Sequence, residues 1–405
     1  MRVLISAYAC APGRSSEPGV GWHTALQAAR YHDVWVVTRA NNRTAIEQAA
    51  SLDLPSTLRF VYYDLPPAAL RLKRLPYGNH VYYHYWQIGA LSLVRQLHKE
   101  VNFDIGHHVT FARYWSPSFL AHLDIPFVWG PVGGGESSPL PLLNELNARS
   151  RFEEHLRVYA RLLGEKAPSV RATARSSWLA LATTRETAAR LQLLGAKRVD
   201  VRPAIGLSDF EVRELARQST EIESRPLFLS VGRLLGWKGF SLGIRSFARA
   251  AIKEAQYVIV GGGPELNHLK RLARELGVEN QVRFLGRQPR EVVVGLLARA
   301  TALVHPSFHD SGGFVCLEAM ASRRPVLCLA TGGPAALVTS DCGILIEPLS
   351  RSSVIDDMAQ AMRRLASDTV LTHRLASRAL DRVLQHFTWE RIGQELLYLY
   401  QEASP

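Results

Sequence analysis

Asp310-Ser-Gly-Gly-Phe-Val-Cys-Leu-Glu318 is the stretch that decides how this chain is read. Two carboxylates stand eight positions apart around a Gly-Gly step that opens an apolar, helix-like run. A glycine-rich turn entering a helix presents unpaired backbone N–H groups at the positive end of the helix dipole, a seat for an anion such as a diphosphate. Carboxylates beside that seat suit hydroxyl groups, Glu318 on a ribose and Asp310 on a sugar. A glycosidase-type acid–base pair fits less well, because it needs two carboxylates flanking one bond, whereas here the anion-binding turn lies between them. The C-terminal half is therefore expected to hold a nucleotide sugar.

Upstream, the apolar run Leu227–Val231 ends at Gly232-Arg233, followed by Trp237-Lys238-Gly239. Arg233 and Lys238 fall in a loop at the carboxyl end of a strand. A planar guanidinium and an ammonium both suit phosphate oxygens. Val260-Gly-Gly-Gly-Pro-Glu265 is a second glycine-rich strand end, where Gly262 and Gly263 allow close approach of a ligand.

Strand-like and helix-like segments alternate almost throughout. Strands are expected near 2–7, 33–38, 57–62, 104–108, 126–129 and 178–182, and again near 227–231, 257–260, 282–285, 302–304, 325–328 and 343–346. Such alternation predicts an α/β protein of two doubly wound, Rossmann-like parallel sheets, with ligands at the carboxyl ends of the strands in a cleft between facing domains. A polar stretch at 203–226 reads as the linker. The predicted domains are 1–205 for the acceptor, 206–385 for the nucleotide sugar, and 386–405 as a C-terminal helix packing back toward the first domain. A length of 405 residues suits two domains.

Hydrophobic content of 47% with 21% charged residues describes a soluble globular chain, and the net charge of +12 points to anionic partners. The four cysteines (Cys10, Cys316, Cys328, Cys342) include no C-x-x-C pair, which argues against a zinc site and for a reducing compartment. No apolar run reaches the ~18 residues of a spanning helix. The apolar start of the chain is too short for a signal-peptide core and reads as a first strand. The expected location is cytoplasmic.

The C-terminal set resembles retaining GT-B glycosyltransferases of glycosyltransferase family 4, also called glycosyl transferases group 1. The resemblance rests on Gly232-Arg233, Lys238-Gly239 and the element from Asp310 to Glu318-Ala-Met-Ala321, where Asp310 stands for the family's glutamate, one methylene shorter. It is strong over about 225–350 and looser before that. It implies transfer of a sugar from a nucleotide-diphosphate sugar to an acceptor hydroxyl with retention, as in polysaccharide or glycolipid assembly. Arg233, Lys238 and backbone groups at Gly312, Gly313 and Phe314 would meet the leaving diphosphate. No metal cofactor is implied, and there is no Asp-x-Asp motif. The family also places a functional histidine after an N-terminal strand, where this chain has His107 and His108. Their side chains point opposite ways on an extended strand, and the sequence does not choose between them.

Two further strand-end loops are candidates to line the cleft and meet the acceptor: Glu17-Pro-Gly-Val-Gly21, with Gly19 and Gly21, and the run Gly133, Gly134, Gly135, Glu136. Basic and aromatic residues interleave at 71–86 (Arg71, Lys73, Arg74, Tyr77, Tyr82, Tyr83, Tyr85, Trp86) and basic residues recur at 149–175. They suggest a lipid-linked or membrane-proximal acceptor and peripheral contact with an anionic inner membrane face. A nucleic-acid or polyanion-binding protein would use the same charge but leaves Asp310, Glu318 and the glycine-rich strand ends unexplained, so no nucleic-acid partner is expected. The alternatives are such a polyanion-binding protein and a GT-B enzyme of another reaction, such as sugar epimerisation.

Overall fold

Runs of Val, Ile, Leu and Ala set the scaffold, because strands buried on both faces need continuous apolar sequence. The computed structural model describes residues 1–14, 16–50, 54–75, 78–220 and 225–403. The chain forms two compact units. Unit 1 comprises residues 1–135, 160–206 and 389–405, and unit 2 comprises 136–159 and 207–388.

Unit 1 holds seven strands: β1 (Arg2–Ser6), β2 (Asp33–Thr38), β3 (Leu58–Tyr62), β4 (Ile105–His108), β5 (Phe127–Val132), β6 (Leu179–Ala182) and β7 (Val199–Val201). All pair in parallel, in the order β3-β2-β1-β4-β5-β6-β7. Unit 2 holds β8 (Leu227–Val231), β9 (Gln256–Val260), β10 (Val282–Gly286), β11 (Ala302–His305), β12 (Val326–Leu329) and β13 (Gly343–Ile346). These are also parallel, in the order β10-β9-β8-β11-β12-β13. Each sheet reverses its winding once, between β1 and β4 and between β8 and β11.

Where the sequence predicts a polar linker, residues Asp209–Gln218 form an α-helix. Ser208 and Glu211 close its start as a capping box, each satisfying the other's backbone N–H. Val212 and Leu215 are buried on its inner side. The remainder of the predicted linker includes 221–224, which lie outside the described residues.

The last helix, Trp389–Ala403, packs on the first, Glu17–Ala29. Trp389 stacks on His23 at 4.9 Å, and Gly393 lies against Gln27, where a Cβ would come within 2.6 Å of Oε1. Tyr400 is fully buried, and its hydroxyl is 2.6 Å from His107 Nδ1. His107 Nε2 is 2.7 Å from the Gly130 carbonyl. A carbonyl only accepts, so Nε2 carries the proton and Nδ1 accepts from the phenol.

Tyr400→Phe therefore strands a buried ring nitrogen while leaving the packing shape intact. The expected loss is about 1–3 kcal/mol of stability, read as a lower urea midpoint at unchanged slope. An unchanged midpoint would show that the bond contributes nothing.

Candidate functional site

In open parallel sheets ligands sit beyond the carboxyl ends of the strands where the winding reverses. In unit 2 that place lies between the loops leaving β8 and β11. Lys238 comes from the first and Asp310 from the second, and Lys238 Nζ is 2.5 Å from Asp310 Oδ2. His305, the last residue of β11, brings its Nε2 to 3.4 Å from the same oxygen. Burial works against charge on Asp310, but His305 and Lys238 outweigh it and hold the carboxyl far below its usual range. Burial keeps His305 itself below the ordinary histidine value, with Asp310 pulling the other way. The Lys238 ammonium also lies over the Trp237 ring, 4.7 Å from its centre.

Glycine is required where this loop turns. Gly239 has φ of 67°, and a Cβ there would meet the Pro306 carbonyl oxygen at 1.9 Å. Gly313 has φ of 71° and starts the helix Phe314–Ala321, with no side chain capping its first turn. The Gly312 amide faces Asp310 Oδ1 at 3.4 Å. A cation and an uncapped helix start thus flank one carboxylate.

Glu318 lies in the second turn of that helix and is buried. Its Oε1 is 2.6 Å from Arg290 Nη1, and Arg290 also reaches Glu211 at 3.6 Å. Burial raises the Glu318 pKa, opposed by Arg290. Arg233 is exposed and forms no salt bridge among the described residues. Gly232 and Gly262 are half-buried and Gly263 is exposed, in the loops after β8 and β9. The described contacts join Lys238 with Asp310, and Glu318 with Arg290, as two separate pairs.

Residues 136–159 supply groups that the sequence does not connect with this loop. Glu136 accepts a hydrogen bond from Ser311 Oγ at 2.7 Å, which places it with the Asp310 loop. Glu154 is buried, 2.8 Å from His309 Nε2, and accepts from Ser138 Oγ at 2.8 Å. Burial opposes its charge, but His309, Arg157 and Ser138 bring its pKa down to about 2. The His309 ring stacks on Trp237 at 4.5 Å. Sequence reasoning missed His305, His309, Arg290 and Glu154. The two histidines at least flank the Asp310 motif, whereas Glu154 carries no local signal.

In unit 1 both strand-end histidines are interior, each about 1% exposed. They serve opposite faces of the sheet: His107 bonds Tyr400 and Gly130, and His108 Nδ1 lies 3.0 Å from Ser118 Oγ. Gly19 and Gly21 are buried in the first turns of the helix Glu17–Ala29. Gly133 bridges to Arg113, Gly134 lies against Trp115, and the Gly135 amide donates to Thr187 Oγ1 at 3.0 Å.

Burial lowers the His107 pKa to about 4 and that of His108 to about 3. Both sit below the unfolded value near 6.5, so the unfolded chain binds more protons between the two. Their contribution to stability is complete above pH ~6.5 and is lost as pH falls toward 4, by about 1.4 kcal/mol per pH unit for each histidine. Urea midpoints measured from pH 7 to pH 4 should fall accordingly, and a His107→Asn/His108→Asn chain should show a flatter profile.

Residues 212–382 match the family described as Glycosyl transferases group 1. Over 184 residues the chain is 35% identical to a D-inositol 3-phosphate glycosyltransferase of Corynebacterium aurimucosum, covering 43% of this chain and 42% of that protein. The chain thus spans about two-fifths of the length of this curated relative. Among solved structures, a sucrose-phosphate synthase from Thermosynechococcus elongatus superposes with a TM-score of 0.66 at 19% identity, covering 99% of this chain and 98% of that one. Anabaena Alr3699/HepE in complex with UDP superposes with a TM-score of 0.64 at 19% identity, covering 99% of each. The chain therefore has the α/β GT-B fold. The segment that matches glycosyl transferases group 1 carries Lys238, Asp310 and Glu318.

Proposed function

We propose that the chain transfers a glycosyl group from a nucleotide-diphosphate sugar to an acceptor hydroxyl, with retention and without a metal. The observation that carries this reading is the Lys238–Asp310 pair at the strand reversal of unit 2, beside a helix start with no side-chain cap. The UDP in the Anabaena structure supports a nucleotide donor. As the C1–O bond breaks, its electron pair goes to the diphosphate. Lys238, the first amides of the helix Phe314–Ala321 and the exposed Arg233 neutralise that charge in place. The acceptor oxygen forms the new bond to C1 on the same face, and its proton passes to a diphosphate oxygen. Asp310 holds a sugar hydroxyl, and Glu318 exchanges Arg290 for the ribose.

Lys238→Ala should lower kcat by roughly 10²–10³-fold, the scale of losing one preorganised group at developing charge, and Glu318→Ala should lower kcat/KM by roughly 10–10²-fold, the scale of one charge-assisted hydrogen bond to the ribose, with circular dichroism unchanged. Lys238→Ala turning over at the wild-type rate would sink the diphosphate role. A chelator should leave the rate intact.

The acceptor is read as a glycan or lipid-linked glycan at the cytoplasmic face of an anionic membrane. Among the described residues no helix is long and apolar enough to cross a membrane. Tyr82, Tyr83 and Trp86 of the basic–aromatic segment are core residues, and Tyr77 lies outside the described residues. Leu70, Leu75, Val81, Tyr85 and Ile88 are exposed, with Arg71 and Arg74 exposed beside them. Val81, Tyr85 and Ile88 follow helical spacing on Gly78–Val101, an apolar stripe bordered by cations that suits an anionic bilayer. The protein should float with phosphatidylglycerol vesicles and not with phosphatidylcholine vesicles, and Tyr85→Glu/Ile88→Glu should remain at the bottom of the gradient. Equal flotation on both lipids would remove the membrane contact.

A further inference from the structure

Unit 1 has its own strand reversal, between β1 and β4, and the loops leaving those strands meet through aromatic rings. Tyr8, just beyond β1, stands edge-on to Phe111, beyond β4, with centres 5.4 Å apart. Phe111 stacks on Tyr83 at 3.7 Å and meets the His80 ring at 5.5 Å. Cations lie over this floor. Arg39, directly after β2, sits 4.4 Å above the Tyr8 ring, and Lys73 sits 3.9 Å above the Tyr82 ring. Arg113 Nη1 is 2.9 Å from His80 Nε2.

The nearby carboxylates are committed to neutral donors. Asp64 accepts from the Ala40 amide at 3.1 Å and from the Tyr82 hydroxyl at 2.9 Å, which places it between the Arg39 and Lys73 positions. Glu17 accepts from the amides of Phe111 at 2.5 Å and Ala112 at 3.1 Å. Among the described residues neither Arg39 nor Lys73 forms a salt bridge, and both are half-buried. Burial, with Arg39 nearby, holds Lys73 below the ordinary lysine value, against the pull of Asp64. Two half-buried cations on aromatic faces, at the place where a parallel sheet binds ligands, are balanced by a dianion better than by a single carboxylate.

We infer that Arg39 and Lys73 form an anion subsite in unit 1 that takes a phosphate group carried by the acceptor, with the partly exposed Phe111 ring beside the attached sugar. This rests on the reading of the protein as a glycosyltransferase whose acceptor is held by unit 1. It adds the acceptor's chemical class: a phosphorylated compound. The phosphate can belong to a soluble sugar phosphate or to a lipid headgroup.

The test is calorimetric titration with UDP already at saturation, so that the anion site around Lys238 is filled. The probes are glucose, glucose 6-phosphate and a short-chain phosphatidylinositol below its micelle concentration. The proteins are wild type, Arg39→Gln and Lys73→Gln, the last retaining most of the side chain over Tyr82. At least one phosphorylated probe should bind wild type tenfold or more tightly than glucose, and each variant should lose tenfold or more of that affinity. A preference for glucose 6-phosphate assigns the subsite to sugar phosphates, and a preference for the lipid probe assigns it to headgroups. Equal affinity for glucose and both phosphorylated probes, or undiminished binding by both variants, overturns the subsite. UDP titration of the same three proteins, expected to be unchanged, reports on the donor reading separately.

Discussion

One ion pair organises unit 2's site: Lys238 against Asp310, across the loops of two strands that are neighbours in space and 70 or so residues apart in sequence. β8 and β11 lie side by side because the winding reverses between them, and that reversal leaves their carboxyl-end loops uncovered by a crossover helix. A half-buried ammonium needs a counter-charge, and Asp310 provides it while His305 and the Gly312 amide supply further polar contact. The pair thereby ties the loop after β8 to the loop after β11.

The surroundings are built so that this loop has little freedom. Trp237 packs under His309, His309 is held by Glu154, and Ser311 is held by Glu136. Both glutamates come from residues 136–159, a segment far upstream that packs within unit 2. Buried carboxylates are costly unless fully bonded, and Glu154 meets that condition through His309, Ser138 and Arg157. Unit 1 solves the same problem differently. Its adjacent strand histidines stay neutral and spend their ring nitrogens on Tyr400, Gly130 and Ser118.

Most strands were legible because each is a short, continuous apolar run ended by glycine or a polar residue, and all but β7 were anticipated. The helix Asp209–Gln218 was hidden by its charge: its polar face dominates the composition, and the Ser208–Glu211 cap is the one local sign that the segment is helical. The helix Thr369–His386 likewise buries only a narrow side, Leu371, Thr372, Leu375, Ala376, Ala379 and Val383, two of them small alanines and one a polar threonine. In the basic–aromatic segment, composition alone did not separate Tyr82, Tyr83 and Trp86, which fill the core, from Tyr85, which faces solvent.

By itself the sequence determined the α/β class, the glycine-rich turns and the chemistry of Lys238, Asp310 and Glu318, because periodicity, φ preference and charge are local properties of a chain. Tertiary structure alone decided that Lys238 meets Asp310, that Glu318 meets Arg290, that Glu136 and Glu154 serve the Asp310 loop, and that Arg39 and Lys73 flank one carboxylate. Those partnerships depend on strand order. Strand order is a property of how separate segments pack, and no single segment encodes it.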